Sequence, residues 1–150
     1  ATKAAVEEGI VAGGGTALVK AVSVLAIKED QSSSLEYKAG YETLLKALSE
    51  PLKQIVSNAG KKDSAVVLNK IVESKGINYG YNANEDRFEA DMVKAGIIDP
   101  LKVTRTALEN AVSVAAMLLT TEAVVTDLPE KKCEHGGGAP QMPGGMGGMM

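Results

Sequence analysis

Three consecutive glycines, Gly13, Gly14 and Gly15, are the residues whose type and spacing point most directly to chemistry. Glycine allows the backbone to turn sharply and to approach a ligand closely. A helical pattern follows the triplet, so the first N–H groups of that helix are predicted to be uncovered and to suit a phosphate or another anion. The triplet alone favours a tight helix–helix connection that binds nothing, because Gly-Gly-Gly is neither a P-loop nor a G-x-G-x-x-G pattern.

A second group of reactive residues, Cys133, Glu134 and His135, stands near the C-terminal end. Structural zinc sites need spaced pairs of ligands that a fold can bring together, and the sequence places no fourth ligand for this group. His135 is also the only histidine, and no serine or cysteine precedes a base in an ordered element. We therefore expect neither a metal site nor a catalytic nucleophile.

The composition is that of a soluble, mainly helical protein. Hydrophobic residues make up 45% of the 150 residues but aromatic residues only 3%, so Ala, Val, Leu and Ile must fill a core of closely packed helices. A formal charge of −3 argues against a nucleic-acid surface. The longest apolar run, 111–119, is shorter than the roughly 20 residues of a membrane span. With one cysteine and no signal-peptide pattern, we expect a cytoplasmic protein.

Caps and breaks divide the first half of the chain into helices. One helix is predicted over 17–28, and the pair Ser33 and Glu36 forms a capping box for the next. Pro51 predicts a break near Glu50, and Gly60 predicts the end of the helix that follows.

The pattern changes after a shorter helix, which Asp63 or Ser64 caps and Gly76 ends. Two tyrosines at strand spacing in 79–82 predict a small hairpin or extended turn. A short helix over 87–94 is predicted to follow.

Asp99 followed by Pro100 is the sharpest helix start in the sequence, with the aspartate as N-cap and the proline at the first helical position. From Ala107 onward nearly every face of this helix is small or apolar, which predicts the central and most buried helix. Its predicted core-facing stripe consists of Leu101, Leu108, Ala111, Ala115 and Leu118.

The last segments have different characters. Residues 123–126 are strand-like without an obvious partner in the chain, so we expect an edge that pairs with missing sequence or a neighbouring subunit. Residues 136–150 are rich in glycine and methionine and predict a flexible, adhesive tail. The chain opens on Ala1 in a helical pattern without an N-cap, which leads us to expect a piece of a longer protein.

Several motifs in order resemble one protein family, the group I (GroEL-type) chaperonins of bacterial type, in the C-terminal part of the subunit. The motifs are AAVEEGIVAGGG at 4–15, YGYNA at 79–83, GIIDP at 96–100, KVTR at 102–105, LTTE at 119–122 and the Gly-Gly-Met tail. The resemblance implies the C-terminal half of an equatorial domain, a helical bundle with a small hairpin and a C-terminal edge strand. It also implies that 1–8 ends the intermediate domain, that 9–127 is equatorial, with Gly9 as the hinge, and that 128–150 is the tail.

The resemblance further implies part of an ATP or ADP site. Gly14 matches the glycine whose backbone lies against the nucleotide. Asn82 and Ala83 match the contacts to adenine, and Asp99 matches the aspartate that accepts hydrogen bonds from the ribose hydroxyls. Asn84 stands where many relatives have a small residue.

Other parts of the family's machinery are absent from this sequence. The phosphate loop, the aspartate that binds magnesium and the aspartate that assists hydrolysis do not occur in it, so magnesium and potassium would be bound outside this chain. The implied partners are identical subunits in a double ring, a co-chaperonin lid and unfolded proteins. We expect the chain alone neither to hydrolyse ATP nor to enclose a protein.

A different class of function also fits the sequence, namely a stand-alone helical domain for structure or oligomerisation without a nucleotide. A nucleotide site requires Gly14, Asn82, Ala83 and Asp99 to face one cleft, whereas an interaction domain would scatter them. The resemblance also implies an equatorial domain whose core comes from both ends of the chain. On that basis we expect uncovered apolar side chains at Leu108, Ala111 and Val112 and therefore a marginally stable chain.

Overall fold

Short helices and two small strand pairs build the fold. The computed structural model describes residues 1–26, 34–60 and 62–128. Within them the helices are α1 (Thr2–Glu8), α2 (Thr16–Ala26), α3 (Leu35–Ala47), α4 (Glu50–Ala59), α5 (Ser64–Glu73) and α6 (Leu101–Leu119). The strands are β1 (Ile10–Ala12), β2 (Gly80–Asn82), β3 (Arg87–Glu89) and β4 (Ile98–Pro100).

The strands form two antiparallel ribbons. In one ribbon β1 pairs with β4, and Val11 lies opposite Asp99. In the other ribbon β2 pairs with β3, and Tyr81 lies opposite Phe88. The glycine triplet therefore connects strand β1 to helix α2 and is not a tight helix–helix connection. The predicted helix before it does form, as α1, but β1 lies between α1 and the triplet.

The core lies where α2, α4 and α5 pack against the β2–β3 ribbon. Its fully buried side chains are Val19, Leu52, Val56, Val67, Ile71 and Tyr81. Tyr79, Ala83 and Phe88 cover this cluster from the ribbon side. The core of small apolar side chains that the composition predicted is thus completed by three aromatic residues, Tyr79, Tyr81 and Phe88.

Several predicted helix ends are confirmed. Helices α3 and α4 are separate, and Pro51 stands in the first turn of α4. Gly60 ends α4 in the left-handed conformation, with φ of 63°. Asp63 caps α5, because its Oδ1 accepts the N–H of Ala65 at 2.7 Å.

The cap of α3 is Ser34, whose Oγ accepts the N–H of Tyr37 at 3.3 Å. Ser33, the residue predicted to cap this helix, lies outside the described residues.

The predicted end of α5 at Gly76 is wrong. Helix α5 ends at Glu73 with Ser74 as its C-cap and does not continue to Gly76. The Lys20 ammonium explains this early end, since it donates to Ile71 O at 2.6 Å, Ser74 O at 2.8 Å and Ser74 Oγ at 2.7 Å. Ile71 lies in the last turn of α5, where carbonyls have no partner within the helix, and Ile71 O also accepts the Ser74 hydroxyl at 3.0 Å. Burial lowers the pKa of Lys20.

The predicted helix over 87–94 does not form, although the predicted hairpin does. Arg87, Phe88 and Glu89 form strand β3, because pairing with β2 places Phe88 in a parallel stack on Tyr79, with 5.8 Å between ring centroids. The chain then turns through 91–96, where Asp91 Oδ1 accepts the N–H groups of Val93 and Lys94. Contacts with distant residues outweigh the local helical pattern here.

The start of α6 also differs from the prediction. Asp99 belongs to strand β4, and Pro100 occupies the N-cap position without a side-chain cap bond. Pairing with β1 extends as far as Pro100, so the backbone of Asp99 is extended one residue before a cap could form. The carboxylate of Asp99 therefore does not cap α6.

Helix α6 is not the buried centre of the described structure. None of its residues is buried, and every residue from 109 to 128 is exposed. Of the three side chains expected to be uncovered, Ala111 and Val112 are exposed while Leu108 is half-buried. Residues 123–126 form neither helix nor strand within the chain, and the side chain of Val125 is 96% exposed. In the described ranges no helix has the length and apolar character needed to cross a membrane.

Ion pairs hold α1 against α6. The Arg105 guanidinium donates to Glu8 through Nε at 3.2 Å and through Nη2 at 2.6 Å, and to Glu109 through Nη1 at 2.8 Å. Lys102 pairs with Glu7. The hydrogen bond from Arg105 is the main reason that the pKa of Glu8 is lowered from its usual value of 4.5.

This lowered pKa gives a pH-dependent contact. The stabilisation is complete above the pKa of Glu8 in the unfolded chain and is lost as the pH falls through its lower value in the folded chain. We expect the amide signals of α1 and Gly9 to shift in an acid transition below pH 4.5. In Glu8→Gln this transition should shrink; an identical transition in that variant would show that Glu8 does not hold α1.

Candidate glycine-turn site at the junction of the two ribbons

The glycine turn before α2 leaves two N–H groups without a partner among the described residues. Gly13 N–H donates to Ile97 O at 2.9 Å, and Thr16 N–H donates to Gly13 O at 3.2 Å. Within the described part of the chain, the N–H groups of Gly14 and Gly15 make no hydrogen bond. Both residues have positive φ, 65° and 77° respectively. The predicted donor groups before α2 are therefore present.

Gly14 lies against strand β2. A Cβ atom added to Gly14 would lie 3.4 Å from Met92 Cε and 3.9 Å from Tyr81 O. Tyr81 precedes Asn82 in the chain, so the fold brings the backbone of Gly14 beside the strand that carries Asn82. Gly80, also on β2, lies so close to α2 that an added Cβ would be 2.5 Å from Thr16 Oγ1.

Asp99 reaches the same junction through the other ribbon. Asp99 lies opposite Val11 on β1, and Val11 is two residues before the glycine triplet. Side chains directly opposite each other share one face of a ribbon, so Asp99 and Val11 lie on the same face. Asp99 is half-buried, and its carboxylate has no hydrogen bond or ion pair with any described residue. A carboxylate without an internal partner is available to accept hydrogen bonds from a ligand.

Asn82 and Ala83 begin the turn of the β2–β3 hairpin. Asn82 Oδ1 accepts the N–H of Asn84 at 3.1 Å and the N–H of Glu85 at 3.2 Å, which shapes the turn. Ala83 is half-buried against the core cluster. Among the residues described, no hydrogen bond or ion pair links any two of the predicted nucleotide contacts, Gly14, Asn82, Ala83 and Asp99. Their elements are brought together by the pairing of β1 with β4 and by the close approach of Gly14 to β2.

A network that sequence reasoning missed closes the same hairpin turn. The Tyr81 hydroxyl donates to Asp86 Oδ1 at 2.6 Å, and Lys62 Nζ lies 2.7 Å from the same oxygen. The pKa of Tyr81 is raised to about 12, mainly because the hydroxyl is buried and to a smaller extent because it donates a hydrogen bond to Asp86. Lys62 is 24 residues from Asp86 in the sequence, and no local pattern signals such a contact.

A large cavity lies away from the four predicted residues. It has a volume of about 630 Å³ and lies between β1, α2 and the end of α5. Apolar side chains such as Val11, Ala21, Val72 and Ile77 line it together with Lys20, and none of Gly14, Asn82, Ala83 and Asp99 does. Because the three donors of Lys20 are occupied by α5, its ammonium is not free to bind a charged ligand.

The described ranges contain no group of three or more His, Cys, Asp or Glu side chains that could hold a metal ion. Cys133, Glu134 and His135, the group considered from the sequence, lie outside the described residues.

Comparison with known proteins defines the class. Residues 1–129 match the family model of the TCP-1/cpn60 chaperonins, and the chain belongs to this chaperonin family.

The fold agrees with this assignment. Among solved structures, the chain is similar to a group III chaperonin in the open state, with a TM-score of 0.67 and 25% sequence identity. The match covers 81% of this chain and 25% of the group III chaperonin, so the chain spans about a quarter of that protein. The mainly helical fold with small antiparallel hairpins is that of part of a chaperonin equatorial domain, which confirms the predicted fold class.

Proposed function

We propose that this chain is a segment of an ATP-dependent group I chaperonin, which assists the folding of unfolded proteins inside a ring cavity. The chain would supply part of the nucleotide pocket and part of the contacts within the ring. Family membership supports the chaperonin class, and the motifs around the glycine turn, the hairpin and Asp99 support the group I subclass.

One observation carries the nucleotide part of the proposal: among the described residues, the N–H groups of Gly14 and Gly15 and the carboxylate of Asp99 have no partner, and strand pairing puts Asp99 opposite Val11, close to the glycine triplet. The N–H groups of Gly14 and Gly15 would face the phosphates. Asp99 would accept hydrogen bonds from the ribose hydroxyls, since a carboxylate accepts two O–H groups well. Asn82 and Ala83, on the strand beside Gly14, would contact adenine.

Hydrolysis would need groups from elsewhere in the subunit. Magnesium and potassium ions, the phosphate loop and the carboxylate that activates water would all come from outside this chain. This segment would therefore bind ATP or ADP without hydrolysing either, and the ATPase activity would belong to the whole subunit.

The exposed apolar surface supports contacts between subunits. The large apolar side chains of 112–128 are uncovered, and the strand-like segment 123–127 would pair with a neighbouring subunit in a double ring. The same surface favours the alternative function, a helical oligomerisation domain that binds no nucleotide. The co-chaperonin lid, unfolded substrate proteins and a cytoplasmic location belong to the proposal for the whole protein.

The domain division belongs to the proposal too. Residues 1–8 would end the intermediate domain, 9–127 would be equatorial and 128–150 would form the tail. Gly9, whose φ of 86° suits glycine and whose surroundings are open, would serve as the hinge between α1 and β1.

Calorimetric titration of the chain with ADP tests the nucleotide role. We expect Asp99→Ala to weaken ADP binding by tenfold or more, because about 2 kcal/mol is typical for hydrogen bonds to a charged group. Glu42→Ala on the exposed side of α3 is the control, since it also removes one negative charge. Removal of charge alone would leave ADP binding unchanged or slightly tighter. Equal affinities of wild type and Asp99→Ala, or no binding by the wild type, would contradict the proposed half-site.

A further inference from the structure

The turn that carries Asn82 and Ala83 contains a backbone conformation that needs support. Asp86 has a φ of 55°, and it is the one non-glycine residue with a positive φ in the described ranges. Such a conformation costs free energy for a residue with a Cβ atom and persists only where surrounding contacts hold it. The hairpin turn therefore depends on the groups that bind Asp86.

Lys62 binds Asp86 at two points from another segment of the chain. Its Nζ lies 2.7 Å from Asp86 Oδ1 and donates to Asp86 O at 2.8 Å. The buried Tyr81 hydroxyl donates to the same Oδ1 atom. Lys62 thus contacts both the side chain and the backbone of the residue in the left-handed conformation.

Lys62 lies in the short connection between two helix ends. It stands between Gly60, which ends α4, and Asp63, which caps α5. Its ammonium also lies 5.2 Å from the centroid of the Tyr81 ring and 5.5 Å from that of Phe88, within the range of a cation–π contact. Through these contacts, Lys62 links the connection between α4 and α5 to the hairpin turn.

We infer that Lys62 is a positioning residue for nucleobase binding: through Asp86 it fixes the turn that presents Asn82 and Ala83. This inference rests on the proposed nucleotide function. The turn is closed at its start by Asn82 Oδ1, which accepts the N–H groups of Asn84 and Glu85, and at its end by Lys62. Without the ammonium, Asp86 loses both contacts from Lys62 and keeps the hydrogen bond from the Tyr81 hydroxyl. The end of the turn is then held less firmly, and we expect Ala83, in the same turn, to be positioned less precisely.

The consequence is specific to one part of the ligand. Gly14 and Asp99 belong to the glycine turn and to β4, and no hydrogen bond or ion pair joins Lys62 to either of them among the residues described. Loss of Lys62 therefore weakens contacts with the base and leaves contacts with ribose and phosphate intact. A general loss of structure would weaken all of them.

The test compares two ligands and two lysines by NMR titration of the chain. ADP carries the base, whereas ribose 5-phosphate lacks it. Lys62→Met removes the ammonium and keeps an apolar stem, and Lys70→Met is the matched control, because Lys70 Nζ lies 5.0 Å from the Phe88 ring but makes no ion pair with Asp86. Lys62→Arg keeps the charge and should retain ADP affinity.

We expect Lys62→Met to weaken ADP binding about tenfold, as for the loss of a charge-assisted hydrogen bond that positions the turn. Its affinity for ribose 5-phosphate should stay within about twofold of wild type, and Lys70→Met should stay within about twofold for both ligands. Equal losses in the two lysine variants, or an equal loss for both ligands, would overturn the inference.

The outcome also separates this inference from the proposed function. ADP binding that depends on Asp99 but not on Lys62 would overturn the positioning role alone. Failure of the wild-type chain to bind either ligand would overturn the proposed half-site and the inference together.

Discussion

Gly15→Ala is expected to destabilise the chain by about 3 kcal/mol or more, a large share of the roughly 5–15 kcal/mol that stabilises a typical domain. Two effects add. The φ of 77° is unfavourable for alanine, and the new Cβ would lie 2.8 Å from Leu52 N and 2.9 Å from Leu52 Cα. These are backbone atoms of α4, so relief requires the glycine turn and a core helix to move apart.

Two other glycines separate these effects in thermal or urea unfolding. Gly60→Ala has a similar φ in open space, so it should cost only about 1 kcal/mol. Gly40→Ala lies within α3 with nothing near its added Cβ and should stabilise by about 0.5–1 kcal/mol. A Gly15→Ala variant no less stable than Gly60→Ala would show that the turn does not pack on α4 as described.

Leu52→Ala is expected to cost about 2–5 kcal/mol, the range for removing a fully buried leucine from a packed core. Leu52 has no exposed surface and belongs to the cluster that α2, α4 and α5 share with Tyr81. Its loss should also loosen the support behind Gly15, since the two residues are in contact. Urea unfolding followed by circular dichroism measures the change.

Leu118→Ala is the matched control on α6. Its side chain is 56% exposed, so the same substitution should change the free energy of unfolding by no more than about 0.5 kcal/mol. A loss comparable to that of Leu52→Ala would mean that another copy of the chain covers α6 in solution. Measuring the variants at several protein concentrations would reveal such association.

Capping residues and glycines in the sequence correctly predicted the helix ends that depend only on nearby residues. Asp63 caps α5 and Gly60 ends α4 as predicted, because a cap requires only a side-chain oxygen or a left-handed residue within one turn. The same reasoning failed at Asp99, where pairing with the distant β1 replaced the cap. It failed again at 87–94, where the hairpin and the stacking of Phe88 on Tyr79 outweighed a helical pattern.

Burial of α6 could not be predicted from its sequence alone. Small and apolar faces at 107–119 correctly predicted a helix, but burial requires a partner that packs against those faces. In the described structure α1 and β4 pack against α6, but every residue of α6 from 109 onward is exposed. The apolar second half has the composition of a buried helix and the exposure of a surface helix.

The candidate site, too, could be predicted only in part from the sequence. The glycine triplet signalled uncovered N–H groups by itself, and Gly14 and Gly15 have them. Asn82, Ala83 and Asp99 came from the resemblance to chaperonins, and their role remains a prediction. The contact of Lys62 with Asp86 had no signal, because it joins segments that only the folded core brings together.

Backbone amide NMR during titration with ADP tests the central claim most directly, since it reports each of the four residues separately. We predict that the signals of Gly14, Asn82, Ala83 and Asp99 shift together with one dissociation constant, while those of α3 and 110–128 do not. Shifts confined to residues that line the apolar cavity, or no shifts at Gly14 and Asp99, would contradict a nucleotide site at the junction of the two ribbons.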